Sequence, residues 1–122
     1  MLSKYTIDSK DTLVEINDGF CQFGQENGGM DFDPQAWLGE DLLRVIHGDS
    51  TRLYYEALFT HLRISKKERE ICYRCDSPTE ARFMRMTMRS DKDYNIYFVN
   101  EIEAVTPFLQ PINLKFYGKG II

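Results

Sequence analysis

The chain carries little that announces chemistry. Its 122 residues include only two histidines and three cysteines. An odd number of cysteines makes no disulfide framework, and no second C-x-x-C stands beside Cys72-Tyr-Arg-Cys75 to complete a zinc site. The residues around that pair read as a strand, where positions three apart face opposite sides, so neither metal nor dithiol chemistry is expected. There is no glycine-rich phosphate loop, and no serine, cysteine and histidine stand in a nucleophile context. Acidic pairs such as Asp31/Asp33 and Glu40/Asp41 fall near helix starts, where the helix dipole accounts for them. A net charge of −4 and a pI near 5.1 give no general attraction for a phosphate backbone, so nucleic acid is not an expected partner. No apolar run approaches the roughly 20 residues that span a bilayer. The opening Met1-Leu-Ser-Lys-Tyr-Thr-Ile-Asp8 lacks the apolar segment of a secretory signal. These gaps predict a cytoplasmic protein that is not an enzyme and has no membrane partner.

What is present is the makings of a core. The apolar fraction is 43% and the aromatic fraction 13%, values of a globular chain. The length suits a single domain over residues 1–122.

Thr12-Leu-Val-Glu-Ile16 alternates as a strand, with apolar groups on both faces. Asn17 or Asp18 can cap the helix that follows, where Phe20 and Phe23 stand three apart and face the core together. Asn27-Gly28-Gly29 supplies the backbone freedom to end that helix. Asp33-Pro34 is a second start signal, a capping carboxylate followed by proline at the first helical position, and predicts about one turn through Gln35-Ala-Trp37-Leu38. After Gly39, Leu42, Leu43 and Ile46 form a one-sided apolar set. His47-Gly48 breaks the pattern, and Asp49 or Ser50 is the predicted cap of a longer helix. Leu53, Tyr54, Ala57, Leu58, His61 and Leu62 form its predicted apolar stripe, with Arg52, Glu56 and Arg63 on the wet side. The run Lys66–Glu70 then borders a solvated turn.

Residues 68–76, 80–90 and 93–102 read as three long strands in an antiparallel meander. Ile71, Tyr73 and Cys75 share one side of the first. Met84, Met86 and Met88 line one side of the second, and Phe83, Arg85, Thr87 and Arg89 the other. In the third, Tyr94, Ile96, Phe98 and Ile102 alternate with Asn95, Tyr97, Val99 and Glu101. Beyond Glu103 the pattern weakens, and Pro107 and Pro111 bar a long helix through the tail.

Two strands, short helices, one longer helix and a three-strand meander form an order that resembles the PAS sensory fold. Asn17-Asp-Gly-Phe20 matches the "N-x-x-F" that follows the opening strand in that family. Gly39, Leu42, Leu43, Ile46 and Asp49 or Ser50 match its "G-x-x-L/I" turn and "I-x-x-x-D". Tyr73-Arg-Cys-Asp-Ser-Pro78, followed by Arg82-Phe-Met-Arg-Met86, is similar to a bacterial group of compact PAS proteins. The likeness spans about residues 4–102 and leaves 103–122 as a C-terminal extension.

The resemblance implies an α+β fold, a PAS-like antiparallel five-stranded sheet with short helices and one longer helix packed on one face. It also implies a small-molecule pocket between the inner face and the helices, with a signal relayed through the outer face and the termini. The photoreceptor motif "N-C-R-F-L-Q" has no match, and Cys21 lies in another segment, which argues against a cysteine-adduct flavin. Haem-binding relatives place a histidine in the long helix. Here the comparable place holds Tyr54-Tyr55, with His61 two turns on, which argues against haem. The cofactor is left unknown.

In such a fold Trp37, Tyr54 and Leu58 wall the pocket and Met84 and Met86 form its floor, surfaces able to stack on or adapt to a planar ligand. The same residues also describe a core packed with no ligand. Phe83, Tyr97 and Val99 fall on the outer face and make a candidate homodimer interface. Arg74, Arg82, Arg85 and Arg89 form a cationic group, either for an anionic ligand or acidic partner or as a solvated face paired with Glu70, Asp76, Glu80 and Glu101. Asp76-Ser77-Pro78 reads as a self-capped turn. The expected function is PAS-like sensing or regulation, binding a small molecule or a signalling protein non-covalently and acting in trans. A ligand-free dimerisation or scaffold module is the alternative, and a small α+β enzyme a third.

Overall fold

Two strands, β1 (Ser3–Ile7) and β2 (Leu13–Ile16), open the chain. They lead into α1 (Asp18–Gly28), a 3₁₀ turn (Pro34–Trp37), α2 (Leu42–Val45) and α3 (Asp49–Ser65). The meander β3 (Arg69–Arg74), β4 (Glu80–Ser90) and β5 (Ile96–Pro107) follows. The computed structural model describes residues 2–28, 33–46, 48–77 and 79–108, with the side chains of 25–28 left out. Expectations resting on Asp31, His47, Pro78 and Pro111 lie outside these described residues.

The strands form one antiparallel sheet in the order β2-β1-β5-β4-β3. This is the α+β, PAS-like architecture expected, with β5 at the centre of the sheet. Phe98 on β5 lies opposite Tyr5 on one side and Met88 on the other.

Local chemistry fixes the entries to the helices. Asn17 caps α1 by accepting the Phe20 N–H at 2.8 Å, and its amide donates to the Leu2 carbonyl at 3.1 Å. Gly19 sits where α1 crosses β1, and a Cβ there would overlap the Leu2 carbonyl oxygen. Asp33 caps the 3₁₀ turn through the Gln35 N–H at 3.1 Å, with Pro34 at the first position. Asp41 does the same for α2 through the Leu43 N–H at 2.9 Å.

Alternation along the strands sends Ile7, Leu13, Met86, Met88, Ile96 and Phe98 into the core, where each is almost fully buried. They meet Tyr55, Leu58, Phe59 and Leu62 of α3, together with Leu42 and Ile46. Tyr5 stacks on Phe98 at 4.5 Å between centroids, and Phe59 meets Phe98 edge-on at 5.7 Å. Burial of each such side chain stabilises the fold by about 1.5–3 kcal/mol.

Several expectations need correction. The buried stripe of α3 is Tyr55, Leu58, Phe59 and Leu62, whereas Leu53, Tyr54, Ala57 and His61 face outward. The helix is apolar around much of its circumference, so spacing alone admits two stripes. The one carrying Tyr55 and Phe59 is buried because their rings fill the space over Phe98. Gly48, with φ of +89°, takes the N-cap position of α3 in place of Asp49 or Ser50.

Arg63 is not on the wet side. It pairs with Asp11 at 2.8 Å and donates to the carbonyls of Asp8 at 2.8 Å and Tyr94 at 2.9 Å. The C-terminal end of α3 abuts both the β1–β2 turn and the β4–β5 turn, and Arg63 joins all three. Ile102 keeps its phase with Ile96 and Phe98, opposite buried Met84, but is 46% exposed. Between Phe83 and Met84 the register with β5 shifts by one residue, so that Met84 faces Ile102 and Phe83 faces Ala104. Glu103 is the extra residue of this bulge, and from Ile102 to Pro107 β5 is exposed.

Candidate functional site

The inner sheet face changes character beyond the core cluster. On β3, β4 and β5 the inward positions are taken by Tyr73, Arg82, Met84 and Asn100, the last three buried. The Tyr73 hydroxyl donates to Asn100 Oδ1 at 2.8 Å. The Tyr5 hydroxyl lies close to Asn100 and meets Met86 Sδ at 3.8 Å. Burial pushes both phenols well above their ordinary range, so they stay neutral donors across physiological pH. The result is a short polar chain set into an apolar wall.

Arg82 extends this wall toward α1. It is only 8% exposed, which overturns its assignment to a solvated face. Its place in the alternation is the same as that of Met84, Met86 and Met88, so its side chain points inward. The guanidinium donates from Nε to the Cys75 carbonyl at 2.8 Å and lies 5.8 Å from the Phe23 ring centroid. The Arg82 N–H reaches Asp76 Oδ1 at 3.3 Å. The Cys75 thiol is pushed up by burial, against the pull of Arg82, which makes it a weak nucleophile. Cys72 is exposed on the opposite face, so the two sulfurs of the C-x-x-C do not meet.

The outer face is ionic at its middle. Arg85 lies among Glu101, Glu103 at 2.6 Å and Glu70 at 3.9 Å. The hydrogen bonds it donates to Glu101 raise the guanidinium's already high pKa further. Arg74 pairs with Asp76 at 2.7 Å, and Arg89 lies 4.6 Å from the Tyr97 ring centroid. A shallow groove of about 220 Å³ runs between Lys4, Thr6, Glu15, Thr87, Arg89 and Tyr97.

The expected pocket residues are only partly brought together. Leu58 and Met86 are buried in the shared core, with Trp37 half-buried at its rim, 6.1 Å from Phe20 between ring centroids. Met84 is buried beyond that cluster, opposite Tyr73. Tyr54 faces outward, touching only the edge of the Tyr55 ring among the aromatic contacts described. Phe83, Tyr97 and Val99 do fall on the outer face. The row Arg85–Glu101 separates Phe83 from the other two, so the three form no continuous apolar patch.

The Tyr5–Asn100–Tyr73 chain was not among the expected site residues. Its signal was the alternation itself, which puts Asn100 in phase with Ile96 and Phe98. Among the described residues, no three His, Cys, Asp or Glu side chains are placed to hold a metal ion. No described helix is long and apolar enough to cross a membrane. No protein-family model and no curated protein matches the chain.

Proposed function

We propose that the chain is a PAS-like sensory or regulatory domain of the cytoplasm, which binds a small molecule non-covalently and passes the change to a signalling partner in trans. The observation that supports this most is a pair of neighbours on β5. Asn100 points inward and holds the Tyr73 hydroxyl, while Glu101 points outward and holds Arg85. Both stand just ahead of the bulge, where the strand departs from regular pairing. A ligand that competes for Tyr73 or Asn100 would shift the backbone between them and so disturb the Arg85 ion cluster on the far face. Such a ligand must bind the two arrangements with different affinity.

Arg82 gives the wall a buried cation, suited to a ligand with a carboxylate or another anionic group. Native mass spectrometry and thermal shift on the purified protein test the reading. A retained molecule, or a Tm rise with a small anion that is lost in Arg82→Leu and reduced in Tyr73→Phe, supports it. A clean apo mass and no shift across a metabolite panel would remove it.

The second reading, a ligand-free scaffold, draws on a different observation. Leu58, Met84 and Met86, three of the five residues expected around a ligand, are buried by protein atoms. The same experiment separates the two.

A further inference from the structure

The chain treats the two edges of its sheet differently. At the β2 edge the segment after the 3₁₀ turn covers the start of the strand. The Leu13 N–H donates to the Glu40 carbonyl at 2.9 Å, and the Gly39 N–H donates to the Leu13 carbonyl at 2.8 Å. At the β3 edge no described residue takes such a place. The Cys75 N–H donates to the Arg82 carbonyl at 3.0 Å, and the register from Arg69–Met88 to Arg74–Phe83 runs without a shift. That fixes the phase of the ladder. Ile71 and Tyr73 turn their backbone groups toward β4, while Glu70, Cys72 and Arg74 turn theirs away from it. The outward N–H and C=O groups have no backbone partner among the described residues, and the three side chains are exposed. An open edge of this kind is a template for another strand.

We infer that the β3 edge is a self-association surface, on which β3 of a second copy pairs antiparallel about a two-fold axis at Cys72 and joins the two sheets. The strand selects this occupant because it is complementary to itself read backward. Glu70 faces Arg74 of the second copy, Ile71 faces its Tyr73, and Cys72 faces its counterpart. The Glu70–Arg74 and Cys72–Cys72 pairs each exchange both backbone bonds, which meets every outward group. Ile71 and Tyr73, both half-buried, meet at the sites where cross-strand side chains come closest, a branched side chain on an aromatic ring.

Charge adds to this fit without carrying it. Glu70 lies 3.9 Å from an Arg85 that Glu101 and Glu103 already hold, so its carboxylate keeps room for a donor. Arg74 gives Nε and Nη2 to Asp76, which leaves Nη1 for another acceptor. Uncharged Cys72 at the axis keeps like charge from opposing itself. A shift of two residues in one direction sets Glu70 against Asp76, and in the other draws in Glu68 from outside β3. Each copy uses the same edge, so the pairing is complete at two copies. So short an edge is at the low end for a specific interface, and the dimer is weak and concentration-dependent. It does not depend on the sensory reading, and it differs from the outer-face set of Phe83, Tyr97 and Val99.

Sedimentation velocity on the full chain under a thiol reductant, from about 10 µM to about 1 mM, tests it, with amide hydrogen exchange at both ends of that range. The expected result is a monomer–dimer equilibrium in which the Glu70, Cys72 and Arg74 amides gain protection at high concentration. Cys72→Pro removes an N–H that points away from β4, so the chain should fold while its association weakens at least tenfold. Cys72→Lys sets two ammonium groups together at the axis and is read in the same way if the proline variant fails to fold. A monomer at every concentration overturns the proposal, whether those amides exchange fast or are covered within the chain. So does a dimer that ignores both Cys72 variants, as one held by the outer sheet face would.

Discussion

Asn17 and Lys4 hold each other by two hydrogen bonds. The Lys4 N–H donates to Asn17 Oδ1 at 2.9 Å, and the Asn17 N–H donates to the Lys4 carbonyl at 3.1 Å. The same oxygen of Asn17 also caps α1, so one side chain joins the first strand to the first helix. Asn17→Ala should cost about 2 kcal/mol in urea denaturation, at the upper end for a helix cap. Asn17→Asp keeps the acceptor and loses only the donor to Leu2, so its cost should be clearly smaller. Equal losses for the two variants would refute the cap.

Gly19 and Gly39 offer a contrast between crowding and strain. A Cβ at Gly19 would overlap the Leu2 carbonyl, coming within 2.8 Å of its carbon, and backbone cannot step aside cheaply. Gly39 has φ of +90° but open space around it. Gly19→Ala should therefore cost about 3 kcal/mol or more, and Gly39→Ala about 1 kcal/mol. Chemical denaturation of both variants measures the order, and the reverse order would sink the account.

The Asp91 carboxylate organises the β4–β5 turn. It accepts the N–H groups of Asp93 at 2.9 Å and Asn95 at 3.0 Å, the Asn95 amide at 3.0 Å and the Tyr97 hydroxyl at 2.9 Å. These bonds, led by that from the Asn95 side chain, hold its pKa down at about 2. A depressed carboxylate stabilises the fold fully above its unfolded pKa of 3.8 and loses that contribution as pH falls through about 2. Asp91→Asn should lower Tm at neutral pH, and the gap from wild type should close between pH 4 and pH 2. A gap that stays constant over this range would show that the charge plays no part.

Tyr73 and Asn100 form a buried pair whose parts are worth less alone than together. Tyr73→Phe leaves Asn100 Oδ1 without this donor and should cost about 1–3 kcal/mol. Adding Asn100→Leu removes the stranded acceptor, so the double variant should lose less than the sum of the singles. A double-mutant cycle gives the coupling, and strict additivity would count against the bond.

Arg63 joins Asp11 on the first turn to Tyr94 on the last. Arg63→Met keeps the apolar stem and removes the ion pair and both carbonyl bonds. It should cost about 2–3 kcal/mol, since it strands a half-buried Asp11. Arg63→Met/Asp11→Asn should recover part of the loss, as read by thermal melts.

Much of the fold was legible because local rules and global packing agreed. Asp33-Pro34 announced its turn, and Met84, Met86 and Met88 announced the inner face of β4. The failures have physical causes. Ser3, Tyr5 and Ile7 form an inward set too short and too mixed to give the bounds of the first of the two opening strands, although Tyr5 stacks on Phe98. In α3, Leu53 and Tyr54 were as apolar as Tyr55 and Phe59, and only the sheet beneath decides between them. Arg63 and Arg82 read as surface residues because charge usually means water, and carbonyl groups that satisfy a guanidinium leave no mark in a sequence. The bulge at β5 is a matter of register, which no alternation pattern records.

The central position of β5 bears on how the chain is made. Tyr5 and its partner Phe98 are separated by about 90 residues, a long loop to close. As a ribosome releases the chain, β1 and β2 can pair early, and β3 can pair with β4 later. Neither half can join the other until β5 emerges and slots between β1 and β4. Until then the rings of Tyr55 and Phe59 have no Phe98 to cover. Between the release of β4 and that of β5 the nascent protein thus holds two half-sheets with a gap between them, and the slowest contacts are the ones that close it.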